Sequence, residues 1–479
     1  MLHKKRFASR GQSLVFMSLA MVVFLGFVAL AIDGGHLLTM RRRARTAADA
    51  AALAAANAWV RNGDTTAATT AAQVMAKKDG FDNANPHVTV QVAELDRATC
   101  QQISNDNGSS TCTCFKVSIE AQTPTIFAQF VGHDTTSTGA VAISHACRKT
   151  PLEYGYAIHS RDNLSTDGIS GAMAWGKIRS DENITVKGMG HLWSFGGFFP
   201  MPAGGEITAE KKIIYNGFPM MEMFAIGPTM PPLSSVAANV HRPPMPTLNL
   251  PQPDACSTVA HPVSCSDFSG VSAMRNEMTD MMSAFMGLPM QSISHFGNPG
   301  DMISGFGNKF NNFFDNVSDG KYDHHCKVYP AGKYTSKVTV PADEMAIFLD
   351  GPHCFTRDVN IEGAAIGKNV TFYFENGSGI HTAAHSTVML DAGDPMRMDW
   401  GGMLFYNPSH VTLSALGGTM LVGSIYAPNG TCHLTGGGML MGWAQLLCNK
   451  LTFSGGFQAM LMYDAKHLYH VPAEISLVK

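Results

Sequence analysis

Residues 402–453 read GMLFYNPSHVTLSALGGTMLVGSIYAPNGTCHLTGGGMLMGWAQLLCNKLTF. Inside this stretch Val411-Thr-Leu413, Cys432-His-Leu434 and Leu451-Thr-Phe453 repeat one pattern, with a polar residue between two apolar ones. With Val388-Met-Leu390 upstream, the four starting points are separated by 23, 21 and 19 residues. Phe405-Tyr406-Asn-Pro408 recurs as Ile425-Tyr426-Ala-Pro428, twenty residues on. Val338-Thr-Val340, Val359-Asn-Ile361 and Val370-Thr-Phe372 carry the same signature, and Asn183-Ile-Thr-Val186-Lys-Gly188 reads as an earlier copy. Alternation of period two within a repeat of roughly twenty residues marks a parallel solenoid, because one coil cannot bury its inner face and must stack on the next. Regular hairpins of an antiparallel sandwich alternate too, but here the same tripeptide keeps returning in one direction. The expected fold class is mainly β, with a right-handed parallel β-helix whose first coils cover 151–227 and whose main run covers 329–470.

Composition agrees with this. The chain has 479 residues, room for two or three domains, and only 15% of them are charged, well under the roughly 25% of ordinary soluble domains. Its net charge of −3 provides no concentrated basic face, so no nucleic-acid partner is expected.

Ser13 to Ile32, SLVFMSLAMVVFLGFVALAI, is twenty residues without a charge. At about 1.5 Å per residue it spans a ~30 Å hydrocarbon core. A cleaved signal peptide is the competing reading, and Ala29-Leu30-Ala31 offers a small-x-small site. The run exceeds a signal's usual apolar region of about 7–15 residues, however, which favours a retained transmembrane helix. Lys4, Lys5, Arg6 and Arg10 precede it and Arg41, Arg42, Arg43 and Arg45 follow, so basic residues do not decide its orientation. The cysteines do: all ten, Cys100, Cys112, Cys114, Cys147, Cys256, Cys265, Cys326, Cys354, Cys432 and Cys448, follow the apolar run. Disulfides on that side imply an oxidising compartment, with residues 1–12 as a cytoplasmic basic tail. Residues 33–62 are rich in Ala, the strongest helix former, and read as a helical stalk loosened at Gly34-Gly35. Residues 63–150 read as a small α/β module: a helix over Ala67 to Lys78, strands at 88–92, 115–120 and 140–144, and a short helix near 126–131.

Arg10-Gly11-Gln12, the apolar run ending in Ile32-Asp33-Gly34, the basic cluster, and Ala47-Ala48-Asp49-Ala50-Ala51-Ala52-Leu53-Ala54-Ala55-Ala56 together resemble the N-terminus of TadG-like proteins. These belong to the tight-adherence (Flp) pilus assembly system of bacteria. Prepilin-type substrates carry Glu at the fifth residue after the processing glycine. Phe16 stands at that place, counted from Gly11, which again favours a retained anchor. The resemblance implies that the small module is pilin-like. Gly367-Lys-Asn-Val-Thr-Phe-Tyr-Phe374, Gly402-Met-Leu-Phe-Tyr406 and Gly423-Ser-Ile-Tyr-Ala-Pro-Asn-Gly430 are similar to a β-helical C-terminal region found in such proteins.

Between the two sets of coils, 228–328 reads as an insertion. Eight prolines between Pro228 and Pro253 make an extended strap, and Val271, Met274, Met278, Met281 and Phe285 follow a helical stripe. Cys256 and Cys265 are expected to close a short loop. His324, His325, Cys326, His353 and Cys354 are the candidate zinc ligands, against the reading that Cys326 and Cys354 form a disulfide. Asp391, Asp394, Arg397 and Asp399 are the residue types that a polysaccharide-cleaving β-helix uses, against the reading that the two aspartates shape a turn. No phosphate loop, His-Glu-x-x-His or Gly-x-Ser-x-Gly motif occurs.

The expectation is therefore a non-catalytic structural or assembly component of a Tad/Flp-type pilus or related secretion system. It would need no cofactor, catalytic residue, metal or small-molecule substrate. It would sit single-pass in the bacterial inner membrane, with its N-terminus cytoplasmic and its bulk periplasmic or extracellular. Its partners would be that membrane and other pilus or secretion components. A polysaccharide-binding or polysaccharide-cleaving β-helix, or a surface adhesin, is the alternative.

Overall fold

The computed structural model describes all residues except 1–11, 105–111, 153–154, 197–204, 218–219, 226–235, 243, 266–324, 376, 397–399, 415–417 and 479. The Met/Phe-rich stripe from Val271 to Phe285 lies outside the described residues, as do His324, Arg397 and Asp399. The chain is mainly β with one long N-terminal apolar helix, and it divides into two units, 1–150 with 472–479, and 151–471.

The first unit is organised by α1 (Gln12–Asn62). Its first half is apolar and exposed, as at Phe16, Phe24 and Leu30. Its second half carries Ala44, Ala47, Ala48, Ala51, Ala52 and Ala55, spaced three and four apart and fully buried. Small side chains let the helix axis approach its neighbours closely. The Ser144 hydroxyl donates to the Ala52 carbonyl at 2.7 Å, and the stripe packs on Ala68, Ala72 and Ala76 of α2 (Thr65–Lys78) and on Phe115, Val117 and Ile119. The Ala-rich segment is thus the core of the small module and not a stalk, and Gly34-Gly35 lie within the continuous helix. Asp64 caps α2, accepting from the Thr66 and Ala67 amides at 3.0 and 3.1 Å. After β1 (Val88–Glu94) and the short α3 (Arg97–Ser104), β2 (Cys112–Pro124) and β3 (Thr135–Cys147) form a long antiparallel pair. The C-terminal strand Glu474–Val478 completes the sheet beside β3, so both ends of the chain build this unit. Disulfides Cys100–Cys114 and Cys112–Cys147 staple it.

In the second unit most strands pair in parallel with the strand three places later, and the long strand Gly418–Thr435 serves more than one of these pairings. Three ladders result, and three consecutive strands make one rung. Val338-Thr-Val340 pairs with Val359-Asn-Ile361, then Ile380-His-Thr382, Val411-Thr-Leu413, Cys432-His-Leu434 and Leu451-Thr-Phe453. The sequence pattern mixes ladders: Val370 and Val388 belong to the other two. Ile380 escapes the pattern because Thr382 breaks the apolar–polar–apolar signature. Phe405-Tyr406 and Ile425-Tyr426 do stack in register. Inward rings fill the centre, with Phe348 and Phe372 4.8 Å apart between centroids and Phe372 and Phe405 5.5 Å apart.

The ladders do not follow chain order. Leu446 pairs with Ile158, Leu451 with Leu164, and Gln458 with Gly171. The block that begins at Tyr156 therefore stacks on the last rung of the block that ends at Met462. One rung is composite, with its first strand from 458–462 and its other two from 156–160 and 164–166. The chain enters the unit in mid-stack, winds to one end at Val236–Ala237, and restarts at the other end at Cys326–Tyr329.

The Pro-rich segment connects these ends along the outside of the rungs. Met245 donates its amide to Asp181, Gln252 reaches Glu375 at 2.5 Å, Ala260 donates to the Lys333 carbonyl at 2.9 Å, and Val263 pairs antiparallel with Val328. Tyr373, Tyr406 and Tyr426 stack with centroids 5.4 and 5.8 Å apart, and Tyr406 and Tyr426 present their hydroxyls to the strap. Leu250 donates to the Tyr406 hydroxyl at 3.0 Å, which donates to the Leu248 carbonyl at 3.0 Å. Leu248 donates to the Tyr426 hydroxyl at 2.7 Å, which donates to the Pro246 carbonyl at 2.8 Å.

Removing both hydroxyls, Tyr406→Phe with Tyr426→Phe, removes the only groups shown satisfying those strap amides among the described residues. Each lost bond is worth about 1–3 kcal/mol locally. Hydrogen exchange of the Leu248 and Leu250 amides is expected to accelerate by at least roughly tenfold while exchange in the inner ladder strands stays unchanged. Unaltered protection at both amides would show that the hydroxyls do not hold the strap.

Candidate functional site

Two built arrangements stand out, one in each unit. In the first unit Asp33 follows the apolar run directly. Its carboxylate accepts from the backbone amides of Ile126, Phe127 and Ala128 at 2.9, 3.1 and 2.8 Å. Those amides are free because they open a 3-10 turn over Ala128–Val131, whose first N–H groups have no partner within the turn. Partial desolvation would raise the carboxyl's pKa, but the amide hydrogen bonds outweigh it and hold Asp33 below the usual carboxylate range. The loop's neck is closed by the Thr125 amide donating to the Asp134 carbonyl at 3.1 Å and by the Thr125 hydroxyl donating to the His133 carbonyl.

In the second unit the strap is clamped by charge. Arg179 is 1% exposed, a burial that a guanidinium tolerates only when paired. It meets Asp181 at 2.9 Å and Glu210 at 3.1 Å, and donates to the Arg242 carbonyl of the strap at 3.2 Å. Asp181 also meets His159 Nε2 at 2.9 Å. Burial pushes the Asp181 pKa up, but the contacts with His159, the Met245 amide and Arg179 together keep it low. Arg161 donates to the Met245 carbonyl and the Thr247 hydroxyl, both at 3.2 Å. Arg242 joins Glu206 at 2.6 Å and Tyr156 at 3.0 Å. Arg179, Asp181, Arg161 and Arg242 with its partners each help fasten one segment to the rungs, and His159 backs Asp181. Sequence reading misses the cluster because its members are spread between residues 156 and 247 and, Arg179 with Asp181 apart, meet only across rungs or through the strap.

The candidate zinc ligands do not come together as a site. Cys354 is bonded to Cys256 and Cys326 to Cys265, so neither sulfur is a thiolate able to ligate. The expected Cys256–Cys265 and Cys326–Cys354 pairs are replaced by two bonds that each tie the strap to a rung. His325 is exposed, 3.6 Å from Asp343. His353 is fully buried between Tyr334, Phe348 and Phe372, with Nε2 2.8 Å from the Leu349 carbonyl. A further cluster of ligand type, Cys112, His145 and Cys147, has its two sulfurs joined in a disulfide. Cys432 and Cys448 form the fifth bond among the described residues. Of the acidic loop, Asp391 accepts from the Gly393 amide and Asp394 from the Met396 amide, both at 2.8 Å. Each aspartate thus shapes its own turn, as Asx side chains do.

These positions can be set against known proteins. Residues 11–58 match the family described as Putative Flp pilus-assembly TadE/G-like. The N-terminal helix, Asp33 included, is thus a TadE/G-like segment, which associates the chain with pilus assembly. The competence-associated pilin ComZ from Thermus thermophilus is a solved structure aligned over 90% of this chain and 98% of its own, at 12% identity and a TM-score of 0.23. A likeness of that degree carries no argument. No curated protein matches the chain.

His353 gives a pH-dependent prediction. Burial disfavours its charged form and lowers its pKa to about 4, against a smaller opposing effect of the Leu349 carbonyl. The unfolded chain takes up a proton near pH 6.5 that the folded one refuses, so stability is full above that pH and lost as pH falls toward 4. By about pH 5 the loss is on the order of 2 kcal/mol. His353→Phe should flatten the dependence of the denaturation midpoint between about pH 7 and pH 5. An unchanged slope would remove His353 as its source.

Proposed function

We propose that the protein is a single-pass, non-catalytic component of a Tad/Flp-type pilus or a related secretion system. The observation that carries this reading is the TadE/G-like match over residues 11–58. The α1 stretch from Phe16 onward is long and apolar enough to cross a membrane, and Ser13 to Ile32 is the anchor in this reading. The five disulfides among the described residues all follow that run. This supports an oxidising, periplasmic or extracellular location for the bulk of the chain and a cytoplasmic N-terminus in the inner membrane.

For the second unit we infer a parallel β-solenoid from the three ladders. Its hand is taken as right-handed because parallel crossovers are so in about 98% of cases. Such a stack offers a rigid, periodic surface to other pilus or secretion components. Its buried charges are consumed in clamping the strap, which supports a structural role. Of the acidic set, the described Asp391 and Asp394 are engaged in their own turns, which does not favour the polysaccharide reading.

Deleting the gene in its host should abolish or sharply reduce assembled Flp pili counted by electron microscopy. A chain carrying an oxidation-dependent reporter after Val478 should restore them with the reporter active. Normal piliation in the deletion strain sinks the assembly role, and an inactive reporter on a restoring chain reverses the orientation.

A further inference from the structure

Asp33 lies one residue beyond Ile32, hence about 1.5 Å further along the helix axis. Its carboxylate holds the amides of Ile126, Phe127 and Ala128 within 3.1 Å. The tip of the loop is therefore fixed to α1 at the depth where the apolar run ends. At that tip Ile126 is 47% and Phe127 38% exposed, two adjacent large apolar side chains left open on the surface. The loop is not free to choose another depth, because Thr125 with His133 and Asp134 closes its neck. The Gln129 side chain donates to the Ile126 carbonyl at 2.8 Å, stiffening the tip further.

We propose that this loop is a second membrane contact, in which Ile126 and Phe127 enter the interfacial region of the phospholipid bilayer beside the transmembrane helix. The inference rests on the anchor reading above. Its occupant is lipid because the tip is continuous with the helix surface that meets lipid, and Phe27, Leu30 and Ile32 on that helix are themselves exposed. Aromatic and aliphatic side chains on a rigid loop suit the boundary between headgroups and acyl chains. Two contacts joined by the Asp33 hydrogen bonds would restrict the rotation and tilt of the helix, which a lone helix leaves to its flanking anchors.

The test uses the full chain reconstituted in phosphatidylcholine vesicles whose acyl chains are brominated either near the headgroup, to read Phe127→Trp, or near the chain end, to read Phe24→Trp at the middle of the apolar run. Emission added by Phe127→Trp over the parent protein should be quenched relative to unbrominated vesicles. The quenching should be lost when Asp33→Ala is combined with it. Phe24→Trp, in the anchor itself, is the reference. If Phe24→Trp is quenched and Phe127→Trp is not, the second contact is overturned while the anchor stands. If neither is quenched, the anchor reading falls and takes this inference with it. Quenching that survives Asp33→Ala overturns the tether. If the emission added by Phe127→Trp is unquenched and shifts to the blue as protein concentration rises, the patch belongs to a second copy of the chain, which also overturns the proposal.

Discussion

The second unit depends on one set of main-chain hydrogen bonds, those joining residues 444–462 to residues 156–175. A parallel rung leaves unpaired N–H and C=O groups along both edges, and neither sequence block closes its own. Stacking the early block on the late one removes two such edges at once and merges two inner faces into one apolar column, running from Val340 and Ile361 through Leu434 and Phe453 to Leu164 and Ile184. It also fixes the connectivity. Because entry and exit share the composite rung, the two free ends of the stack lie far from it, and a single crossing has to join them.

That crossing explains the prolines. The ends are separated by nine rung intervals, about 43 Å at the spacing of paired strands. Some twenty-five residues of extended chain reach up to about 80 Å, so the strap has slack for the 3-10 turn at Asp254–Ser257. Between Met245 and Leu250 the strap pairs with no strand among the described residues, so its amides need other partners. Proline supplies residues without an amide to satisfy, and at Leu248, Leu250 and Met245 the amides that remain are met by tyrosine hydroxyls and Asp181. The buried charge cluster around Arg179 follows the same logic. It is costly to bury unless each group is paired, and it is placed where strap carbonyls complete the pairing.

Much of this was legible in the sequence, and what was not has physical causes. Alternation and the twenty-residue recurrence were visible because inward positions must be apolar on every rung, and the Tyr406 and Tyr426 recurrence proved to be register. Ladder membership was not visible, since the three faces of a rung use the same tripeptide chemistry, and the paired Ile380 and Val411 stand 31 residues apart, well beyond the twenty-residue recurrence. The stacking order was invisible because pairing between distant rungs leaves no local trace. Cysteine pairing failed for a related reason. Cys256 and Cys265 are close in sequence, but the strap carries them past different rungs, to Cys354 and Cys326, while a disulfide requires Cα atoms within about 7 Å. At the sites, residue types alone suggested zinc and acid–base chemistry. Only geometry shows that the sulfurs are already bonded and that Asp391 and Asp394 close turns.

The helix α1 obeys a different constraint, set at one residue. Its two halves bury nothing in common: the first is apolar and exposed, the second an alanine stripe that admits close neighbours. Gly34 and Gly35 could have separated them, and nothing lies within 4 Å of a Cβ added at either, so steric crowding is not what requires glycine there. Two helical glycines cost roughly 1 kcal/mol each relative to alanine, yet the helix runs on unbroken. Asp33 just before them places a carboxylate, held below its usual pKa range, at the end of a long apolar run. Three amides from a loop some ninety residues away satisfy it. The helix and the loop are thereby fastened to each other at one height, and the point at which the apolar run stops becomes the point at which the folded module begins.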